Sequence, residues 1–429
     1  MKNKNYRAER RIPDLYIPPM SQTGKSADRM TKDFIIVGAG IVGLSAAWKI
    51  LKEWPDSKVT ILEKEDRVAA HQTGHNSGVI HSGIYYRPGS YRARNCVEGR
   101  HQLVEFCNEH GVRFDLCGKV IVAVDEGEIP KLKEIYERGL KNGIEGIRMI
   151  DQSELKEIEP FTEGVAAIHV PCAGMVDFVG VSEALAREIR SNGGEIRFKS
   201  PALHIQRGSR NVRVMTTGGV LETRFLINCA GLHSDRVARS AGHRPKDHIV
   251  PFRGEYFDLV PEAQTKVRGL IYPLPNPAFP FLGVHFTRMV HGGVECGPNA
   301  VFSFKREGYG KFSFDLEDTI ETFNFGGFWK LAGRHWRMGL DEYYRSFSKE
   351  GFVRELQRLI PSIQSEHLTP ASSGVRAMAL SPDGEVVDDF RFERSDREIH
   401  VLNAPSPAAT ACLAIGDEIV NQCREYFEI

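Results

Sequence analysis

The stretch Phe34-Ile-Ile-Val-Gly-Ala-Gly-Ile-Val-Gly-Leu-Ser-Ala-Ala-Trp-Lys-Ile-Leu51 narrows the folds open to this chain more than any other part of it. A short apolar run leads into Gly38-x-Gly40-x-x-Gly43 and then into apolar residues at helical spacing, so strand, tight turn and helix follow one another. Gly38 permits the turn, and Gly40 lets the backbone approach a pyrophosphate with no Cβ in the way. Gly43 lets the helix lie close to the strand, and Ile41 and Val42 open that helix with N–H groups facing the anion. Lys58-Val-Thr-Ile-Leu-Glu63 gives a second strand ending in a carboxylate, followed by Lys64. Glu63 stands 20 residues beyond Gly43, the spacing expected of a group that accepts hydrogen bonds from an adenosine ribose. A lone glycine pattern is weak evidence, but strand, helix and acid in register point to a dinucleotide. The competing reading is a βαβ unit whose glycines serve packing only.

The rest of the chain has to fit around that site. With 429 residues, 41% of them hydrophobic and 26% charged, it is a globular protein long enough to divide into two domains sharing an interface. Lys+Arg and Asp+Glu both number 56, so no overall positive field exists to collect phosphate backbones, and nucleic acid is not an expected partner. The 8 cysteines include no Cys-x-x-Cys pair. They read as reduced thiols of a cytoplasmic protein, and their scatter counts against a dithiol–disulfide flavoenzyme. Residues 1–29 are basic and proline-containing without periodicity, which predicts a disordered extension or a mis-started segment. A mitochondrial presequence is the alternative, weakened by Glu9, Asp14 and the prolines. The longest apolar run, Phe34 to Leu51, is broken by three glycines, Ser45 and Lys49 and does not read as a membrane span.

Only one glycine fingerprint is present, so one dinucleotide site is the economical count. A single site at the start of a chain this long fits a tightly held FAD with a second domain over its reactive ring. After the second strand comes His71-Gln-Thr-Gly-His-Asn-Ser-Gly-Val-Ile-His-Ser-Gly-Ile-Tyr-Tyr86. Asn76, Ser77 and Gly78 form a small polar turn suited to flavin or pyrophosphate oxygens, or else a plain Asx turn. His71 and His75 stand four apart with Gly74 between them and no His-Glu-x-x-His arrangement, so no metal is expected there.

Together with the glycine fingerprint, these residues resemble the FAD-dependent oxidoreductases of the D-amino-acid oxidase superfamily, and more narrowly its L-2-hydroxyglutarate oxidases and dehydrogenases. The resemblance runs from about Lys32 to Asn421. It includes Pro251-Phe-Arg-Gly-Glu-Tyr256, Phe281-Leu-Gly-Val-His-Phe-Thr-Arg288, Gly297-Pro-Asn-Ala300, Gly374-Val-Arg-Ala377, Ser381-Pro-Asp-Gly384 and Asn403-Ala-Pro-Ser-Pro-Ala-Ala-Thr410. A departure is Thr287, where related sequences usually carry proline. The resemblance implies a Rossmann-like FAD-binding domain assembled from discontinuous segments, here 30–116, 178–240 and 370–429. Phe225-Leu-Ile-Asn-Cys-Ala-Gly231 would return the chain beside the adenine half, with Ala230 and Gly231 at the cofactor. Residues 117–177 and 241–369 carry alternating runs such as Lys119 to Val124 and Gly254 to Leu259. They are expected to form a mostly antiparallel substrate domain, an α+β layer over the flavin. Pro407, Ala408, Ala409 and Thr410 precede a terminal apolar helix, whose N–H groups and positive dipole end would face the flavin.

Taking hydride from the carbon of a 2-hydroxy acid leaves a ketone, so a base must accept the hydroxyl proton while a cation fixes the carboxylate. His81 and His285 are the candidate bases, ranked equal. Arg253 and Arg376 are the candidate carboxylate clamps, Arg376 the stronger because it leads into the Pro382-Asp383-Gly384 turn, with hydroxyls from Tyr85, Tyr86, Tyr256 and Tyr272 in support. The expected reaction is FAD-dependent oxidation of L-2-hydroxyglutarate to 2-oxoglutarate, with quinone or oxygen taking the electrons. An amino-acid or amine oxidase of the glycine or sarcosine oxidase type is the alternative. The segment Phe302 to Phe352 is dense in aromatics, with Lys330, Arg334, Arg337 and Arg345 among them. Such a segment is more often core, but it can also rest on a membrane surface and admit a quinone. The expected location is therefore the cytoplasm, with peripheral contact at the inner face of the cell membrane as an addition, or the mitochondrion in a eukaryote.

Overall fold

The computed structural model describes residues 32–275 and 283–427, so the 1–29 extension lies outside the described residues. These described residues pack as one compact unit. Lys32–Val37 is the central strand of a parallel layer. Val59–Leu62 pairs with it on one side and the C-terminal half of Gly219–Asn228 on the other. Glu195–Arg197 and Glu398–Asn403 extend the layer outward, again in parallel. Val59–Leu62 is buried at every position, and so are Phe34 to Val37. This is why both read as continuous apolar runs rather than alternations. The helix Ile41–Glu53 packs against Phe178–Ser191 and Cys412–Tyr426, and its fully buried Leu44 and Ile50 each contribute roughly 1.5–3 kcal/mol of burial. Gly43 makes that packing possible, since a Cβ there would lie 2.0 Å from the Gly38 carbonyl oxygen.

The second sheet has nine strands among the described residues, in the order Val301–Phe302, His248–Leu259, Val294–Gly297, His285–Arg288, Leu270–Pro273, Lys119–Ala123, Ala166–Val170 and Arg148–Asp151, with Leu368–Leu380 also on His248–Leu259. Its pairings are antiparallel except that of Leu270–Pro273 with Lys119–Ala123. The α/β and mostly antiparallel layers expected from sequence are thus both present. The segment 370–429 serves both: Leu368–Leu380 pairs along its length with His248–Leu259, and the chain regains the parallel layer only beyond the turn at Ser381 to Gly384. Each sheet has its own hydrophobic clusters. A third, small sheet, Val79–Ile80 and Phe114–Asp115 on either side of Gly174–Val176, sits beside the site described next.

Candidate active site

A cavity of about 1060 Å³ opens at the carboxyl ends of the parallel strands and reaches the second sheet, the position where open α/β sheets bind ligands. Gly38, Gly40, Ile41, Val42, Glu63, Lys64, Ala230 and Gly231 line its first end. Gly38 has φ +105°, and a Cβ there would meet the Cys229 carbonyl oxygen at 2.6 Å. The Ile41 N–H donates to Thr73 Oγ1 at 3.1 Å, which anchors the helix start. Glu63 is buried, one carboxylate oxygen accepting from the Ala39 N–H at 2.8 Å and the other from Glu65 at 2.9 Å. Each oxygen keeps a further lone pair for a ligand hydroxyl. Lys64 sits 2.8 Å from Glu307 and 2.8 Å from His71 Nε2. Its ammonium stands within the cluster of Glu65, His71 and Glu307. Asn76 and Ser77 line the cavity, but the Asn76 side chain closes an Asx turn, accepting from Gly78 N–H at 2.9 Å and donating to the Thr73 carbonyl at 2.7 Å. Gly43 and Gly78 shape the backbone without reaching the cavity; a Cβ on Gly78 would meet the Val176 carbonyl oxygen at 2.9 Å. The glycines without a Cβ, the helix start with no acidic residue in its first turn and the buried carboxylate fit the diphosphate and ribose of a dinucleotide.

His81, Tyr85, Tyr86, Tyr256, Tyr272, His285 and Arg376 all line the cavity toward its other end, with Pro407, Ala408, Ala409 and Thr410. Thr410 ties that loop to a histidine: its hydroxyl accepts from the His81 N–H at 3.1 Å and donates to the Val79 carbonyl at 3.2 Å. His285 opens the strand His285–Arg288, shorter than the run from Phe281 read in sequence, whose residues 281 and 282 lie outside the described residues. His285 Nδ1 is 2.8 Å from the Gly283 carbonyl oxygen. A carbonyl only accepts, so Nδ1 carries the hydrogen and Nε2 keeps its lone pair. The imidazole stacks on Tyr272 with centroids 3.9 Å apart. The Tyr256 hydroxyl is hydrogen-bonded to Arg376 and the Tyr272 hydroxyl to Thr287, the position where proline was expected. The buried Tyr85 hydroxyl has no partner among the described residues.

Burial dominates the electrostatics. It lowers both histidines to about 3; the nearby charge of Lys119 adds to this for His81, and those of Arg376 and Lys119 for His285, against the Gly283 hydrogen bond. The imidazole of His285 is also among the groups that hold His81 down. Burial raises the Tyr256 hydroxyl to about 12 despite Arg376 beside it, so it is a donor at neutral pH.

Arg253, expected at the substrate, is not brought to the cavity. Its guanidinium holds the Glu255 carboxylate at 2.8 Å and the Gly310 carbonyl at 3.0 Å. Residues two apart on a strand share a face, so Arg253 and Glu255 turn away from the side on which Tyr256 lines the cavity. Conversely, Arg92 and Arg138 reach the wall without having been singled out in sequence. Arg92 lies over the Tyr86 ring at 4.3 Å and donates to the Ser406 carbonyl at 2.6 Å. Arg138 donates to the Tyr85 carbonyl at 2.9 Å. Arg92 stands on the helix Tyr91–His110 just after the His71 to Tyr86 stretch and Arg138 on Ile129–Lys141, and no local spacing marks either.

Comparison with known proteins agrees with this geometry. The sequence pattern of the FAD dependent oxidoreductase family matches residues 33–422. The chain is 49% identical over 386 residues to the L-2-hydroxyglutarate dehydrogenase of Indibacter alkaliphilus, covering 90% of this chain and 97% of that one. It is 44% identical over 391 residues to the L-2-hydroxyglutarate dehydrogenase of Escherichia coli, covering 91% and 92%. Among solved structures, the L-alpha-glycerophosphate oxidase of Mycoplasma pneumoniae with FAD bound shares the fold with a TM-score of 0.76 at 21% identity, covering 92% of this chain and 95% of that one. Glycine cradle, buried acid, two-sheet cavity and matched length lead to one conclusion: this chain belongs to the FAD-dependent oxidoreductases of the D-amino-acid oxidase type, in the group of the L-2-hydroxyglutarate dehydrogenases.

Proposed function

We infer that the protein oxidises L-2-hydroxyglutarate to 2-oxoglutarate with FAD. The observation that carries this reading is the convergence of two imidazoles, Arg376 and four tyrosines on one cavity wall opposite a dinucleotide cradle. Gly38, Gly40, Ile41, Val42, Glu63 and Lys64 at one end, with Ala230, Gly231 and Pro407 to Thr410, would hold FAD, which would supply the hydride acceptor. The chain's own residues do the rest. Arg376, oriented by the Tyr256 hydroxyl, fixes a carboxylate, and the unpartnered Tyr85 hydroxyl is the donor left for a second oxygen. His285 presents Nε2 and His81 faces the same space, so the pair takes up the single hydroxyl proton as one coupled unit. Two anionic carboxylates entering this cation-lined space would raise both imidazoles from about 3, so the base becomes competent when substrate is present. The test is anaerobic bleaching of the yellow holoprotein by 2-hydroxy acids of both hands. L-2-hydroxyglutarate should bleach it, its mirror image and simple amino acids should not; bleaching by glycine or sarcosine instead would move the assignment to the amine oxidases.

For the electrons, we propose a quinone at a membrane surface. The helices Leu316–Phe323 and Gly326–Phe347 turn aromatic and aliphatic side chains outward, Trp336 at 55% and Phe347 at 66% exposure, with Phe312 at 87% before them. Arg337 lies against Trp336, and Lys330 and Arg334 pair with Asp383 and Glu385. An exposed apolar face edged by Arg337 and by the ion-paired Lys330 and Arg334 suits a lipid interface. No helix among the described residues is long and apolar enough to cross a membrane. Faster reduction of a soluble quinone than of oxygen supports the proposal; stoichiometric peroxide at full rate contradicts it.

A further inference from the structure

Lys119 begins the strand Lys119–Ala123 and is 1% exposed. Its Nζ lies 4.8 Å from the ring centre of Tyr85 and 4.8 Å from that of Tyr272. Both rings line the cavity, and Tyr272 stacks on His285. Among the described residues no carboxylate pairs with this ammonium; the groups that favour its charged form are the thiols of Cys96 and Cys172. The Cys96 thiol is pushed up to about 12 by burial and that of Cys172 is raised as well, so neither is a counter-ion at neutral pH. An ammonium without a counter-charge is costly in a core, where an apolar residue of similar length would be more stable. The neighbouring groups that titrate or carry charge are His81, Tyr85, Tyr272, His285, Arg92, Arg100 and Arg376, and none supplies a negative charge at neutral pH.

We propose that Lys119 is a positioning residue whose counter-charge is the substrate: the carboxylates of the bound dicarboxylate, across the Tyr85 and Tyr272 rings, complete the ion pair that the protein leaves open. This rests on the dicarboxylate reading given above and adds a residue that does not itself line the cavity. Burial lowers Lys119 to about 8. A dianion on the far side of the two rings stabilises the ammonium and moves that value back up, so by linkage ligand binding above pH 8 draws a proton onto Lys119. The histidine pair also gains protons when an anion binds, but from a starting point of about 3, well outside the alkaline window. Glu295, on Val294–Gly297 of the same sheet with two strands between it and Lys119–Ala123, is raised to about 8 by burial and by Asp258 and titrates in the same window. Substitution at 119 is therefore needed to separate the two.

The experiment is calorimetric binding of 2-oxoglutarate to the holoenzyme at about pH 9, in buffers of different ionisation enthalpy, which counts protons taken up per ligand. Wild type should take up more protons than Lys119→Arg, which keeps the charge but does not titrate there. At neutral pH Lys119→Arg should bind much as wild type does, whereas Lys119→Met should bind on the order of tenfold more weakly and melt at a higher temperature, having lost a buried charge. Either variant suffices if the other fails to fold. Equal proton uptake in wild type and variant, or undiminished affinity in Lys119→Met, overturns the inference while bleaching of the wild-type flavin by L-2-hydroxyglutarate leaves the proposed reaction standing. A wild-type holoenzyme that binds no dicarboxylate removes both.

Discussion

The two ends of the cavity are built in different ways. The cofactor end is made of backbone: missing Cβ atoms at Gly38 and Gly40, the start of Ile41–Glu53 and one carboxylate at the tip of a strand. The opposite wall is made of side chains, with His81, Tyr85, Tyr256, Tyr272, His285 and Arg376 brought in from five separate stretches of chain. A backbone site depends on what a residue lacks, and almost any substitution blocks it. A side-chain site depends on what each residue carries, and its losses are graded.

The largest effect should therefore come from the smallest change. Gly43→Ala places a Cβ 2.0 Å from the Gly38 carbonyl oxygen. Forcing strand and helix apart there should cost roughly 1–3 kcal/mol or more, read as protein purified with little or no flavin. Full flavin content in that variant would show that the cradle tolerates a displaced helix. On the other wall, His285→Asn or His81→Asn should keep the flavin and slow its reduction by about 10²–10⁴. If the pair takes up one proton as a unit, as proposed, the double variant should be little slower than the worse single one. Multiplicative losses would mean two independent roles. Arg376→Met should raise KM on the order of tenfold to a hundredfold, as loss of a charge-assisted contact does. Arg253→Met should leave KM alone and lower the melting temperature, since it takes the guanidinium from the buried Glu255 and leaves that carboxylate chiefly the Asn299 amide. Smaller still is the effect of pH on stability. The two imidazoles are held at about 3 when folded, below their unfolded value near 6.5. The unfolded chain thus binds protons first, and the stability they contribute is complete above about pH 6.5 and is lost as pH falls toward 3. A melting temperature that does not fall over that range in wild type, relative to the His81→Asn, His285→Asn variant, would contradict the burial account.

Legibility in the sequence follows the same division. The Gly38 to Gly43 turn with Glu63 is local, and a chain segment that must do one thing by backbone geometry spells it out in order. The second sheet was legible as short strand-like runs, but the alternation expected of Lys119 to Val124 is absent, since Lys119–Ala123 is buried at every position, and which member of a strand faces the cavity was not legible. Arg253 and Tyr256 lie three apart in one string, so they cannot share a face, and this parity separates Arg253 from Arg376 on the adjoining strand. Lys119 reads in sequence as the polar start of an apolar run; its burial depends on Tyr85 and Tyr272 closing over it from elsewhere. The 326–347 helix shows the reverse case, aromatic density that suggests a core and that the fold turns outward.

The oxygen-free holoprotein mixed with less than one equivalent of L-2-hydroxyglutarate, and with the same acid carrying deuterium at C2, reports whether the C2 hydride goes to the flavin. Flavin colour should be lost in proportion to 2-oxoglutarate formed, and more slowly with the deuterated acid. Retention of colour while 2-oxoglutarate appears, or loss of colour with no 2-oxoglutarate, would contradict that transfer.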